Sequence, residues 1–309
     1  MTANQTRPVI VGVDGAPSNW TTIRYAAQEA DRTGAALRLI HVSPSYVPMS
    51  TVRPVEPPML QATGLEILRL ARGKAEQTAP DVEVSTRLVS GPRVESLVHA
   101  GEDASLIVLG HAGRTLMARL WTGSTIVGTA ARASCPVTSI PADWTEAAVH
   151  DRVIVGLKYP EHSRELLSSA FKAASARNAE LRVLHAWMLP SAYADIIESR
   201  TVAQEWRERA LSFIEPLLED LKQTYSDVPV HVEVVHDQPA HALVKASKTA
   251  DLIVMVRREH GYPASRHVGG TARAVLREAS CPVEIVPASS TIAPTTSGLV
   301  LEEDGVRQK

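Results

Sequence analysis

The residues best suited to chemistry in this sequence begin at Gly110, the last residue of a short apolar run, Ser105 to Gly110, with the sequence SLIVLG. They are three glycines and two hydroxyl residues: Gly110, Gly113, Gly123, Ser124 and Thr125. Glycine lets the backbone approach an anion closely, and the free amides at a helix N-terminus favour a phosphate. A hydroxyl at the start of that helix can cap it or hydrogen-bond a phosphate oxygen. The pattern therefore predicts an anion-binding loop between a buried strand and a helix.

This spacing of glycines differs from two common nucleotide-binding patterns. No Gly-Lys-Ser or Gly-Lys-Thr occurs in the sequence, so the loop is not a P-loop. It also follows a strand late in its unit, whereas the dinucleotide fingerprint follows the first strand. Arg114 and Arg119 lie between the glycines, where they either reach phosphate oxygens or lie on a solvated loop face. A loop that only turns the chain is a second interpretation of the same residues.

Length and charge limit the kinds of protein this chain can be. Its 309 residues suffice for two domains, each with its own core. The formal net charge of −2 gives no overall attraction to nucleic acid or to an acidic membrane surface, so neither is expected as a partner. The N-terminus lacks the charged start and apolar segment of a signal peptide, and no apolar run is long enough to span a bilayer. We therefore expect a cytoplasmic protein.

The chain consists of two similar halves. The stretch VIVGV at 9–13 returns as VIVGL at 153–157, and Cys135 and Cys281 both stand in the sequence SCPV. The offset between the halves is 144 early and 146 late, which implies a two-residue insertion in the middle of the second half. Because the two cysteines occupy equivalent positions, buried structural thiols are favoured over a disulfide.

Strand and helix signals alternate through each half. Apolar runs predict five strands in the first half, at 8–14, 36–42, 82–89, 105–110 and 136–140. The first helix is predicted to begin at Ser18, whose hydroxyl is a candidate cap, and to end at Gly34. A proline-rich stretch at 43–58 predicts a loop that either closes over a ligand or only connects its neighbours. The alternation predicts an α/β fold with a doubly wound parallel sheet in each half.

The halves define the expected domain organisation. We expect a first domain at 1–141, a short linker at 142–150 and a second domain at 151–288. Residues 289–309 are polar and lack a clear period, which predicts a mostly disordered tail.

Asp14 ends the first strand and is the acidic candidate for the site. Its carboxylate either binds a ligand hydroxyl, an amine or Mg²⁺, or serves as the turn residue of an Asp-Gly pair. Ligands of doubly wound sheets bind at the carboxyl ends of the strands, where the strand order reverses. His41 and His185 recur at the ends of matching strands, and duplication favours buried structural histidines there. No nucleophile–base pair, metal-binding cluster or pair of carboxylates is recognisable, so no catalytic residue is predicted.

The sequence resembles the universal stress protein family over nearly its whole length, as two family domains in tandem. The resemblance rests on VIVGVDGAPSN near the start, on the glycine pattern from Gly110 to Ser124 and on SCPVTSIP at the end of the first half. It implies a Rossmann-like fold of the adenine nucleotide alpha hydrolase type, with strand order 3-2-1-4-5. In the ATP-binding branch of that family, the aspartate matching Asp14 contacts the nucleoside, and the backbone of the residue matching Val42 contacts the adenine. The ligand implied is ATP, with or without Mg²⁺.

The resemblance also implies a function. A tandem protein of this kind is expected to bind ATP in its first domain and to regulate stress responses or growth through protein partners. Two alternatives stay open: a slow ATPase or nucleotidyl-transfer enzyme on the same fold, and an interaction module that never binds nucleotide. Because family domains commonly pair through their last strands, either the two halves pair within the chain or whole chains form a homodimer.

The second half is expected to have lost the nucleotide site. The late offset replaces Gly110 and Gly113 by Val256 and Glu259, and the early offset replaces Asp14 by Lys158. A branched side chain blocks backbone approach, and a glutamate repels phosphates in a crevice that screens charge poorly. Arg257 and Arg258 are cations that could offset that glutamate. One ATP per chain, in the first half, is therefore predicted.

Replacing Gly113 or Gly123 by valine should abolish ATP binding and leave the fold largely intact, because the added side chain occupies the space that a phosphate needs. Isothermal titration measures the affinity, and circular dichroism of the same sample checks the fold. Unchanged affinity in a folded Gly123→Val variant would show that this loop does not bind the phosphates.

Overall fold

The structure is a computed structural model that describes residues 6–44, 57–111, 125–145, 149–158, 163–188, 192–260 and 265–288. Most of the proline-rich stretch predicted to be a loop lies outside these residues, and so does the predicted tail at 289–309. None of the helices in the described part of the chain combines the length and the apolarity needed to cross a bilayer.

The first half forms a parallel five-stranded sheet. Its strands are β1 (Val9–Gly12), β2 (Leu37–Ser43), β3 (Val84–Ser90), β4 (Leu106–Gly110) and β5 (Val137–Ile140). They pair in the order β3-β2-β1-β4-β5, and each neighbouring pair is parallel. The expected order 3-2-1-4-5 is confirmed, and the observed strand limits differ from the predicted ones by two residues or fewer. The reversal of strand order opens a crevice at the carboxyl ends of β1 and β4.

The second half repeats this sheet and adds a hairpin. Its strands are β6 (Arg152–Gly156), β7 (Glu180–Trp187), β8 (Val230–His236), β9 (Leu252–Val256), β10 (Arg258–His260), β11 (Ser265–His267) and β12 (Val283–Val286). The parallel order β8-β7-β6-β9-β12 matches the first half. Strands β10 and β11 pair as a separate antiparallel hairpin, which was not predicted. This hairpin occupies the sequence positions that correspond to the glycine loop of the first half.

The two sheets join edge to edge into one sheet of ten strands. β5 and β12 pair antiparallel, with Val137 opposite Ile285, Thr138 opposite Glu284 and Ser139 opposite Val283. The strand order of the whole sheet is β3-β2-β1-β4-β5-β12-β9-β6-β7-β8. The last strands of the two halves thus pair with each other within the chain, which leaves β3 and β8 as the outer edges.

Eight described helices cover the sheet: α1 (Asn19–Thr33), α2 (Pro57–Thr78), α3 (Arg93–Ala100), α4 (125–132), α5 (Ser163–Ser175), α6 (Ala192–Thr224), α7 (Pro239–Ala246) and α8 (Gly270–Glu278). On one face each half has its own core, formed by α1 and α2 in the first half and by α5 and α6 in the second. On the other face α3, α4, α7 and α8 share a single core that continues across the joint. Leu97, Ile126, Leu243 and Val275 are buried members of this shared core.

The start of α1 differs from the prediction. Ser18 precedes the helix, but its side chain makes no capping hydrogen bond, and its backbone is already helical with φ −63° and ψ −19°. The chain enters the helix instead through a backbone turn in which the Asn19 N–H donates to the Ala16 carbonyl at 2.9 Å. The other end is as predicted, because Gly34 has the left-handed φ of 62° that ends a helix.

The insertion in the second half lies between β7 and β8. Leu37 and Leu181 occupy equivalent positions in β2 and β7 at the offset of 144, whereas Val84 and Val230 begin β3 and β8 at the offset of 146. The two extra residues therefore belong to the connection that contains α6.

Both cysteine thiols are buried and unpaired. Cys135 and Cys281 are 6% and 2% exposed. Burial raises the pKa of Cys135 to about 11 and that of Cys281 to about 12, so neither forms a reactive thiolate near neutral pH. The expectation of buried structural thiols is confirmed.

A buried ion pair connects α1 with the end of α5 across the joint. Arg177 donates to the carboxylate of Glu29 and, at 3.0 Å, to the hydroxyl of Tyr25. The side chains of Glu29 and Arg177 are only 7% and 12% exposed. Arg32 donates to the same carboxylate oxygen of Glu29. Burial, together with the Glu29 charge, raises the pKa of Tyr25, so the phenol stays neutral in this cluster.

A second asymmetric contact lies in the joint itself. Glu284 of β12 accepts a hydrogen bond from the Ser169 hydroxyl at 2.7 Å and one from the Thr138 hydroxyl at 3.5 Å. Burial raises the pKa of the Glu284 carboxyl. Thr138 is the residue of the first half that corresponds to Glu284 at the late offset. Two second halves paired in this way would bring two buried carboxyls together, so the contact favours the pairing of unlike halves.

Replacing Arg177 by methionine should lower the free energy of unfolding by about 3 kcal/mol, because Glu29 would keep only Arg32 as a partner for its buried carboxylate. The double variant Arg177→Met with Glu29→Gln should lose less free energy of unfolding than the sum of the losses in the two single variants. Urea unfolding followed by circular dichroism measures both effects. The control is Arg72→Met, which removes the exposed partner of Glu76 and should change stability by less than about 0.5 kcal/mol. Equal losses in the Arg177 and Arg72 variants would contradict the buried pair as a link between the halves.

Candidate functional site

A cavity of about 160 Å³ lies at the carboxyl edge of the first sheet. Its wall is formed by the ends of β1, β2 and β4 and by the first residues of α1, α3 and α4. Four of the predicted site residues line it: Asp14, Val42, Gly110 and Thr125. The other four lie outside the described residues: Gly113, Arg114, Gly123 and Ser124.

Asp14 forms the turn that the simpler interpretation predicted and also lines the cavity. Its Oδ1 accepts a hydrogen bond from the Ala16 N–H at 2.9 Å, and Gly15 between them has a φ of 80°. This is an Asx turn, in which the carboxylate replaces a backbone carbonyl. Because a carboxylate has about four acceptor positions, the turn leaves capacity for a ligand. The two interpretations of Asp14 are therefore compatible in one residue.

Val42 directs its main-chain groups towards the crevice. The register of β1 with β2 ends at the pair Gly12–Ile40, followed by one hydrogen bond from the Val13 N–H to the Ile40 carbonyl. Alternate residues of a strand direct their backbone groups to the same side. Val42 lies two residues beyond Ile40, so its N–H and C=O point in the same direction as those of Ile40, towards the side of β1. The pairing of β2 with β1 has already ended at this level. Its side chain is only 9% exposed and belongs to the shared core.

Gly110 has a packing reason to be glycine. A Cβ atom at this position would lie 2.1 Å from the Thr22 Oγ1 and 3.2 Å from the Thr22 Cβ. Thr22 is fully buried in α1 and cannot withdraw without disturbing that helix. The close approach of α1 to the end of β4 therefore requires glycine here independently of any ligand, a constraint that was not evident from the sequence.

Asn19 is a cavity residue that sequence reasoning missed. It begins α1, is 6% exposed, and its Nδ2 donates to the Gly12 carbonyl at 3.2 Å. Its Oδ1 is buried and has no hydrogen-bond partner among the described residues. Buried acceptors without a partner are rare in native proteins and often accompany unplaced water or a functional role. Nothing in the sequence separated Asn19 from an ordinary first residue of a helix.

Two more polar residues line the cavity without having been predicted to do so. Arg93, the first residue of α3, is exposed and adds a positive charge to the lining that also contains the negative charge of Asp14. His41 is half-buried, and its Nδ1 lies 2.7 Å from the Val13 carbonyl, to which it donates. The expectation of a buried structural histidine holds for His185, which is 8% exposed and donates to the Leu157 carbonyl at 3.0 Å. Burial lowers the pKa of His185. His41 has the equivalent hydrogen bond but lies at the cavity.

Aromatic side chains lie at the carboxyl ends of β7 and β8 in the second half. Trp187 ends β7 at the place of Ser43, is 6% exposed and stacks on Trp206 of α6 with ring centroids 5.5 Å apart. His236 lies 4.4 Å from the same tryptophan. In the first half, two small side chains occupy these positions, the hydroxyls of Ser43 and Ser90 at 3.2 Å. The second half thus has larger side chains at the ends of these two strands, and Lys158 stands at the position of Asp14.

Metal-binding side chains are scarce in the described part of the chain. No group of three or more histidine, cysteine, aspartate or glutamate side chains comes close enough there to hold a metal ion. Neither Asp14 nor Asn19 belongs to such a group.

Two doubly wound parallel sheets, each with strand order 3-2-1-4-5, define a tandem α/β protein of the Rossmann-like kind. The universal stress protein family model matches this chain twice, at residues 5–141 and 150–287. The chain therefore belongs to the universal stress protein family, as its sequence resemblance indicated.

Relatives and solved structures agree with this assignment. Universal stress protein Rv2623 of Mycobacterium tuberculosis is 31% identical over 301 residues, which cover 93% of this chain and 99% of that protein. Universal stress protein Rv1996 of the same organism is 28% identical over 307 residues, covering 92% and 96%. The crystal structure of a universal stress protein from Archaeoglobus fulgidus shares the fold, with a TM-score of 0.66 at 18% identity over 92% of this chain and 98% of that one.

Replacing Gly110 by alanine should lower the free energy of unfolding by about 1–3 kcal/mol, the usual cost of overpacking a tight contact. Adding Thr22→Ala should recover part of the loss, because it removes the atom that the new Cβ would meet. Thermal or urea unfolding measures both. The control is Gly73→Ala in α2, where a Cβ would meet nothing within 4 Å and helix propensity predicts a small gain in stability. A Gly110→Ala variant as stable as the unaltered chain would contradict the packing constraint.

Proposed function

We propose that the first half binds ATP in the cavity at the ends of β1 and β4, and that occupancy of this site regulates protein partners in stress survival or growth. The observation that carries the proposal is the convergence of Asp14, Val42, Gly110 and Thr125, four residues selected from sequence alone, on one cavity at the switch in strand order. Asp14 and Thr125 lie 111 positions apart in the chain. Turn formation or packing at each position separately does not predict that they line the same cavity.

Each residue has a distinct part in the proposed site. The carboxylate of Asp14 accepts hydrogen bonds from hydroxyl or amine groups of the nucleoside. The main chain of Val42 recognises the edge of the adenine ring through the N–H and C=O that face the crevice. Thr125, the first described residue of α4, offers a hydroxyl to the phosphates. The exposed guanidinium of Arg93 adds a cation at the same edge.

The size of the cavity suits part of such a ligand. Its volume of about 160 Å³ is below the roughly 300 Å³ at which small-molecule sites usually begin. A nucleoside occupies the described cavity in this proposal, and the phosphates extend towards the sequence between Gly110 and Thr125. Any Mg²⁺ would be carried by those phosphates, since Mg²⁺ commonly binds through phosphates and one or two carboxylates.

Regulation by binding is preferred to hydrolysis as the main activity. Asp14 is the carboxylate among the described lining residues, and one of its oxygens already accepts a hydrogen bond from Ala16. Phosphoryl transfer needs a positioned nucleophile and stabilisation of the developing charge. No specific contact of the described cavity favours a nucleophile, so an ATPase stays an outcome of the experiment below.

Asp14→Asn should weaken ATP binding by about 1–3 kcal/mol, roughly 5- to 150-fold in Kd, and leave thermal stability nearly unchanged. The reason is that the amide oxygen of asparagine still accepts the Ala16 hydrogen bond, whereas the charge on the acceptor is lost. Isothermal titration of the full chain gives both affinity and stoichiometry, and chromatography of the same mixture detects released ADP. The matched control is Lys158→Asn at the equivalent position of the second half, which should alter neither the affinity nor the stoichiometry. The expected stoichiometry is one ATP per chain.

Four results would contradict this proposal. No binding by the unaltered chain would remove nucleotide recognition, and rapid release of ADP would favour the enzyme. Unchanged affinity in Asp14→Asn with a loss of stability would leave Asp14 as a turn residue only. A stoichiometry near two would restore a site in the second half.

A further inference from the structure

Arg257 is a buried arginine of the second half whose side chain reaches into the first half. It directly follows β9, is 3% exposed, and its backbone N–H donates to the Val286 carbonyl at 2.8 Å. Its Nη1 donates to the carbonyl of Ala133 at 2.8 Å and to that of Ala130 at 3.3 Å. Both acceptors lie at the C-terminal end of α4, on the other side of the joint between β5 and β12. The Nη1 atom of Arg257 is therefore directed into the first half.

The contact matches what the end of a helix needs. The last carbonyls of an α-helix have no partner within the helix and carry a partial negative charge. A guanidinium supplies several donors in a rigid plane and a full positive charge. Ala130 and Ala133 are 2% and 1% exposed, so water has little access to these carbonyls. Arg257 thus donates hydrogen bonds to two carbonyls of the first half that are buried at the joint.

The helix held in this way is the one that borders the cavity. Thr125 and Ile126, the first two described residues of α4, line the proposed nucleotide site. The eight described residues of the helix span about 12 Å, with Thr125 at the cavity and the C-terminal end at Arg257. A short rigid helix moves as a unit, and fixing its C-terminal end limits where its N-terminal end can be.

The equivalent position of the first half carries a different side chain. His111 occupies the position of Arg257 in the first half, since its backbone N–H donates to the Ile140 carbonyl as that of Arg257 does to Val286. The His111 Nε2 lies 2.8 Å from the Ser139 hydroxyl, a partner within its own half. An arginine at this position appears only in the half that has lost the site features.

We infer that Arg257 is a positioning residue for the nucleotide site of the first half: it holds the C-terminal end of α4 so that Thr125 is correctly placed at the cavity. The inference rests on the proposed function. It gives the second half a role in binding although that half supplies no residue to the described cavity.

The test compares the full chain with Arg257→Met, which keeps an apolar stem and removes the donors. Hydrogen exchange of peptides covering 125–133, followed by mass spectrometry, should become about tenfold faster or more, with little change in α5. The Kd for ATP should rise by about fivefold or more. The matched control is Arg152→Met. Arg152 also donates to a backbone carbonyl, that of Thr249, but it lies at the amino-terminal ends of the strands, whereas Arg257 lies at their carboxyl ends. This control should change neither the exchange of α4 nor the affinity.

The outcomes separate this inference from the proposed function. If the unaltered chain fails to bind ATP, the proposed function is wrong and the positioning role falls with it. If the unaltered chain binds ATP and Arg257→Met binds it equally well, this inference alone is wrong. Uniformly faster exchange in both halves would also overturn it, because that pattern reports global destabilisation. Should Arg257→Met not fold, Arg257→Lys replaces it and should still bind ATP more weakly, because a single ammonium does not reproduce the planar guanidinium.

Discussion

The antiparallel pairing of β5 with β12 is the interaction on which the rest of the molecule depends. Each of these strands would otherwise be the exposed edge of a five-stranded sheet, with backbone groups open to pairing with other chains. Their pairing places both in the middle of a ten-stranded sheet and brings α3, α4, α7 and α8 over one shared core. The contacts of Glu29 with Arg177, of Thr138 with Glu284 and of Arg257 with α4 all exist because this pairing sets the distance between the halves.

Duplication explains the symmetry of the fold, and the departures from symmetry show how the halves have diverged. Both halves keep the strand order, the histidine that donates to the carbonyl after the first strand, and the buried cysteine. The first half has Asp14 after its first strand and Ser43 at the end of β2, whereas the second has Lys158 and Trp187 at these positions. Across the joint, the first half supplies Glu29 and Tyr25, and the second supplies Arg177 and Glu284. Such unlike charges make each half a better partner for the other than for its own copy.

Residues at the cavity satisfy requirements of the fold and of the proposed ligand at the same time. Asp14 closes a turn with one oxygen, Gly110 permits the contact with Thr22, and Val42 packs its side chain in the core while its main chain faces the crevice. A structural role at each position does not exclude a role in binding. It does mean that a loss of function after substitution must be separated from a loss of stability, because both depend on the same atoms.

The sequence by itself determined the duplicated α/β architecture and three residues that line one cavity, Asp14, Gly110 and Thr125, because hydrophobic periodicity, glycines and repeats are local signals. The strand order and Val42 followed from the family resemblance. The sequence did not reveal Asn19, Arg93 or His41 as cavity residues, nor the packing of Gly110 against Thr22. It also offered Ser18 as a helix cap, which makes no capping hydrogen bond, and it gave no sign that Arg257 contacts the first half. Only the tertiary structure decided these points, since each depends on which elements from distant parts of the chain come to lie side by side, and no local pattern encodes the partner of a buried polar group.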